Sequence, residues 1–250
     1  PGISYINNRK PGELYILGGV FPTLADPVPA GPYLAKASAT TGKELWRTYL
    51  DNANASGWLI GSTNLNILDN GNLALSWSNQ IVLVDGDSGL ILKRNTLPTG
   101  EAPVYTASFK HMTIAPDRTL IMKTQTRPAG CREQGTIGII KCIEKGLKMT
   151  HSVLVAVNPE TLEVLDMFQL PEAAPSPHIV TKFGDRIAIY IGMNESARRY
   201  FWDPATKKLS ADESWVIHPM EKGQTTATAP TVMGDWVAFQ LNGAGSSVKA

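Results

Sequence analysis

Histidine is the side chain whose ordinary pKa lies near neutrality, and the chain has four of them. Two, His111 and His178, precede turn-forming triplets at similar distances: Pro116-Asp117-Arg118 and Gly184-Asp185-Arg186. Counting back from such turns along the chain puts Tyr5, Asn64, His111, His178 and Thr228 at one register position. Neutral imidazoles converging there could ligate a transition metal, or one could act as a general base. His111 and His178 are therefore the candidate catalytic and metal-binding residues. Asn64 is a candidate ligand contact, as are Tyr105, Lys110 and Ser176 on flanking entry segments. The competing reading is that such a histidine only lines a wet channel and bonds to water or backbone. His151 and His218 fall in connecting segments and are expected at the surface. GxSxG, GxGxxG and Walker patterns do not occur, so hydrolase-elbow, Rossmann and P-loop chemistry have no support. The DGDSG stretch (85–89) lacks EF-hand spacing and reads as an ordinary strand turn.

The elements that must position these residues repeat. Asp69-Asn70-Gly71-Asn72, Pro116-Asp117-Arg118, Gly184-Asp185-Arg186 and Gly234-Asp235-Trp236 are each followed by an apolar strand: LALSW, TLIMKT, IAIYIG and VAFQL. Asn, Asp and Gly supply the positive φ and local side-chain bonds that tight turns need. A second turn recurs in ASATTGKELW (37–46), VDGDSGLILK (84–93), VNPETLEVLD (157–166) and WDPATKKLSA (202–211). Its anchors Ser38, Asp85, Asn158 and Asp203 are separated by 47, 73 and 45 residues. A four-stranded propeller blade takes about 40–50 residues, and an insertion explains the long interval. The reading is all-β: a β-propeller of four-stranded blades at about 1–52, 57–98, 105–172 and 174–219, with a fifth starting near Gln224. About four and a half blades make one domain over 1–250. A β-sandwich is the competitor, and the repeated turn chemistry favours the propeller.

The insertion, 125–147, is expected as a hairpin carrying Cys131 and Cys142, the two cysteines of the chain. A disulfide between them would staple a long loop and imply an oxidising compartment. Two free thiols are the alternative. CxxC spacing is absent, which removes a zinc-ribbon reading.

ATTGKELWRTYL (39–50) resembles the repeat of the quinoprotein-like (PQQ-like) β-propellers, whose blades carry Ala-x-Asp-x-x-Thr-Gly-x-x-x-Trp. Thr41, Gly42 and Trp46 take the last three motif positions, while Lys36 and Ser38 depart from the earlier ones. In the second blade Asp85 and Gly89 match, Ser88 replaces Thr, and Lys93 stands where Trp is expected. Ala156, Asn158 and Thr161 match in kind in the third, and Asp203 and Thr206 in the fourth. The resemblance implies that Trp46, Thr41 and Gly42 dock blades rather than catalyse. It also implies a ring of six to eight blades, so the end within the fifth points to a continuation elsewhere. Enzymes of that family often carry a vicinal disulfide beside the quinone, and Glu, Asn and Asp on a calcium ion. This chain has no adjacent cysteines, and no such ligand set is assignable. PQQ is thereby a weaker cofactor expectation than a divalent metal, calcium or a transition metal.

Lys and Arg number 23 and Asp and Glu 22, a balance that gives no support to nucleic acid as a partner. No apolar run is long enough for a membrane span. Two functional classes follow. The first is a periplasmic or secreted enzyme, an oxidoreductase or metal-assisted, acting on a small molecule at the channel mouth. The alternative is a non-catalytic propeller, a binding or assembly module that holds other protein subunits on its rim.

Overall fold

The computed structural model describes residues 2–7, 11–20, 31–50, 64–131, 133, 141–219, 221, 224–226, 228–243 and 247–249. Five four-stranded sheets with antiparallel pairing follow one another along the chain. Two compact units contain them: 1–97 with 108–110 and 160–162, and 98–107 with 111–159 and 163–250.

The first unit holds two sheets. One is β1 (Gly2–Asn7), β2 (Glu13–Val20), β3 (Gly31–Ser38) and β4 (Glu44–Tyr49), hydrogen-bonded in that order. The next is β5 (Asn64–Ile67), β6 (Leu73–Trp77), β7 (Gln80–Val84) and β8 (Ile91–Thr96). The second unit opens with β9 (Ala107–Ile114), of which 108–110 count with the first. Its sheet continues through β10 (Leu120–Thr126), β11 (Val153–Val157) and β12 (Val164–Gln169). The fourth is β13 (His178–Phe183), β14 (Arg186–Gly192), β15 (Ala197–Asp203) and β16 (Lys208–Ile217). In the fifth, β17 (Gln224–Thr226) and β18 (Thr231–Met233) both pair with β19 (Trp236–Gly243), which also pairs with β20 (Ser247–Lys249).

These up-and-down sheets are propeller blades, as the repeat predicts. Middle strands are covered on both faces, so they read as unbroken apolar runs: every residue of LALSW and VLVAV is buried. Outer strands alternate or face solvent, as β4 does. Leu17, Leu34, Leu73, Leu75 and Val82 form one core in the first unit. Ile121, Leu154, Ile189, Tyr200 and Trp202 anchor another in the second.

The turn between third and fourth strands is the repeating device. Four residues past its anchor, the backbone is left-handed in every case: Gly42 (φ 69°), Gly89 (75°), Leu162 (61°) and Lys207 (54°). Leucine and lysine tolerate this conformation poorly, so their presence marks a geometry imposed by the surrounding sheet. Anchor N–H groups close three of the turns alike: Ser38 donates to the Lys43 carbonyl, Asp85 to Leu90 and Asn158 to Glu163, each at 2.9 Å. In DGDSG the Asp85 carboxylate accepts from the Ser88 and Asp87 N–H groups, at 2.7 and 3.1 Å, which confirms a strand turn.

The last three of these turns also receive the preceding blade. Trp46 lies so close to Gly89 that a Cβ there would sit 2.7 Å from the ring, and Thr48 Oγ1 donates to the Gly89 carbonyl. Asn95 Nδ2 donates to the Leu162 carbonyl at 2.7 Å. At the position of Trp46 in the third blade stands Asp166. Its carboxylate accepts the Leu209 N–H at 2.8 Å and Lys208 Nζ at 3.0 Å.

Cys131 and Cys142 form a disulfide with Cα atoms 5.7 Å apart. The return strand of the hairpin expected over 125–147 is instead a helical turn at 141–144, and 134–140 lie outside the described residues. Within that helical turn Cys142 is buried and Lys141 is exposed.

Gly89→Ala and Gly12→Ala both force alanine into a positive φ, but only Gly89 has an indole against it. The expected result is a loss at Gly12 of about 1 kcal/mol, and a larger loss at Gly89 by at least about 1 kcal/mol more. Chemical denaturation of the two variants measures the difference.

Candidate functional site

The histidines and their neighbours belong to the seams between blades. His178 begins β13 and is buried. Its Nε2 lies 3.1 Å from the Ile121 carbonyl on β10, so the ring donates across to the preceding blade. Nδ1 has no hydrogen-bond partner among the described residues. Burial above all, and then the nearby Lys123 ammonium, hold its pKa down to about 3 against the opposing Ile121 hydrogen bond. The imidazole is therefore neutral at physiological pH.

Lys123, on β10, is fully buried. Its Nζ donates to the Ala174 carbonyl, on the segment entering the fourth blade, and to the Thr124 carbonyl at 3.2 Å. Lys123 and His178 thus cross the same seam in opposite directions, each bonded to the other blade's backbone. Ser176 is sealed too: its hydroxyl donates to the Gly192 carbonyl at 3.1 Å and lies 2.8 Å from Thr226 Oγ1 of the fifth blade. Gly192 has no room for a side chain, since a Cβ would meet Thr226 at 2.5 Å.

The remaining expected residues are dispersed. His111 is half-buried on β9. Tyr105 is 54 % exposed in the short 3-10 turn Val104–Thr106. Asn64, in the first unit, donates from Nδ2 to the Lys110 carbonyl at 3.1 Å, so Lys110 enters that contact through its backbone. His151 and His218 are exposed as expected, with His151 Nδ1 3.7 Å from Glu101 Oε2 and His218 Nδ1 3.0 Å from the Glu195 carbonyl.

The single register position does not survive. Asn64 faces the following blade, whereas His178 faces the preceding one. The cause is hairpin length. Five residues, 68–72, separate Ile67 from its partner Leu73, but only two, 184–185, separate Phe183 from Arg186. Counting back from the turn therefore lands on opposite faces, because a one-residue slip flips a strand's side chain. Tyr5 lies in β1, and Thr228 is exposed between β17 and β18.

A metal fits this arrangement poorly. Among the described residues no three His, Cys, Asp or Glu side chains cluster as a ligand set. At His178 the neighbouring charge is an ammonium, which repels a cation, and Nε2 is committed to a carbonyl.

Sequence reasoning passed over Lys123 and Asp166. The signal for Lys123 was a lone cation inside the apolar run TLIMKT, and for Asp166 an acid at the motif's Trp position.

By sequence, no family model and no curated protein matches the chain. Solved structures do. BamB from Moraxella catarrhalis is similar over 98 % of this chain and 59 % of its own, with a TM-score of 0.52 and 12 % identity. A quinohemoprotein alcohol dehydrogenase from Comamonas testosteroni is similar over 92 % and 38 %, with a TM-score of 0.51 and 9 % identity. The fold is that of a β-propeller. BBS1N, solved in complex with ARL6, is similar over 96 % of this chain and 63 % of its own, at TM-score 0.51 and 11 % identity. The chain spans less than two thirds of each of these structures. Identities this low speak to the fold alone, and propellers of this shape serve both as enzymes and as protein-binding modules. No helix among the described residues is long and apolar enough to cross a membrane.

His178→Ala is expected to destabilise the protein by about 2–4 kcal/mol, from a buried carbonyl left without its donor and the cavity beside it. Urea denaturation at neutral pH measures this. A change within about 0.5 kcal/mol would take His178 out of the seam.

Proposed function

We propose that the chain is a non-catalytic propeller module that binds other proteins through the rim of its blades. One observation carries this reading: each fully formed blade exposes large apolar side chains on or beside its outermost strand. Leu45 and Tyr49 are 54 % and 43 % exposed on β4, and Leu90 and Leu92 are 66 % and 47 % exposed at β8. Met167 on β12 and Ile217 on β16 follow at 42 % and 37 %. Exposed apolar groups cost solubility unless a partner covers them, and repetition on every rim distinguishes them from scattered surface residues. Outer strands also offer unpaired backbone groups to an added strand. The disulfide supports a periplasmic or secreted setting.

The alternative, an enzyme acting on a small molecule at the channel mouth, would rest on His111 without His178. The latter is sealed from solvent and committed to Ile121.

Photo-crosslinking in the native source tests the proposal. A photoreactive residue replacing Leu45, Leu92 or Met167 should yield a discrete protein adduct, and one replacing Thr40, on an exposed turn, should not. Equal labelling at all four positions, or none at the rim, would sink it.

A further inference from the structure

Two buried polar side chains hold the third and fourth blades together by reciprocal bonds. Lys123 reaches from β10 to the Ala174 carbonyl, and His178 reaches back from β13 to the Ile121 carbonyl. Lys123 is 0 % exposed and His178 is 4 % exposed, so water does not screen one from the other. Lys123 Nζ donates to two carbonyl oxygens at this seam.

We propose that this pair makes the junction of the third and fourth blades an acid-sensitive seam, which opens when His178 takes up a proton. Other groups around the ring do not rescue the imidazolium. On β14 the residue opposite His178 is Ile191. The entering segment brings Ser176, a hydroxyl already bonded to Gly192 and Thr226. β10 brings Lys123, whose charge is of the wrong sign. No carboxylate acts on the ring among the described residues.

The sign follows from the two states. In the closed seam the imidazole stays neutral down to about pH 3, whereas an opened, hydrated ring protonates near its ordinary value of 6.5. Between these limits the open state binds one more proton than the closed one. The closed seam is thus fully favoured above pH 6.5 and loses stability as pH falls toward 3, with opening rising roughly tenfold per pH unit.

Hydrogen exchange of the intact chain, read by mass spectrometry and corrected for intrinsic rates, tests this. Between pH 6.5 and 4.5, opening of peptides covering β10 and β13 should rise roughly fiftyfold. Peptides over β6 and β7, which lie in the other unit, serve as the reference and should rise much less. His178→Gln keeps an N–H donor for the Ile121 carbonyl but does not titrate, and should flatten the β10 and β13 profile. An unchanged slope in His178→Gln overturns the proposal. Should that variant fail to fold, the wild-type profile decides alone: equal slopes at β10, β13 and the reference overturn it.

Discussion

The left-handed residue in the turn between third and fourth strands is the constraint on which the blades depend. It reverses the chain tightly enough for the outer strand to pair back in register, and it aims one backbone carbonyl outward. That carbonyl, or the N–H groups just beyond it, becomes the contact for the preceding blade. Gly89 presents a bare backbone to Trp46 and Thr48, Leu162 presents a carbonyl to Asn95, and the turn at Lys207 presents the Leu209 N–H to Asp166. One local conformation thereby fixes both the fold of a blade and its attachment to a neighbour. A strained φ at Leu162 and Lys207 costs about 1 kcal/mol or more each, and packing around the turn offsets it.

The seams are less apolar than a sheet-on-sheet core. Lys123, His178, Ser176, Thr226 and Asp166 each place a polar group on backbone or on a side chain of a neighbouring blade. Such bonds add little net stability but are expensive to break, so they select one mutual placement of two blades over its near alternatives. This also explains why residue types that suggest chemistry do none visible here. A histidine beside a lysine is a familiar catalytic pairing, but at this seam both are enclosed and aimed at carbonyls.

Fold was legible in the sequence because the turns repeat. Ser38, Asp85, Asn158 and Asp203 stand at equivalent positions, and the left-handed residue falls four places after each. The Cys131–Cys142 pairing was legible too, since two cysteines flanking one excursion leave a single intramolecular partner. The site was much less so. Asn64 and His178 look equivalent when counted from their turns, but loop lengths of five and two residues put them on opposite faces. Lys123 and Asp166 act by reaching into another blade, and no local pattern records what lies across a seam. The helical turn at 141–144 was hidden because the β-branched residues upstream suggest strand.

Plug and socket differ at each seam: indole on glycine, carboxamide on a leucine carbonyl, carboxylate on an N–H beside lysine. A blade moved one place along the chain would meet the wrong counterpart. Trp46 facing Leu162 would collide with a Cβ, and Asp166 facing Gly89 would lose the lysine it pairs with. The order of the blades is therefore written into their contacts as well as into their connections. Shuffling or duplicating single blades would violate that code.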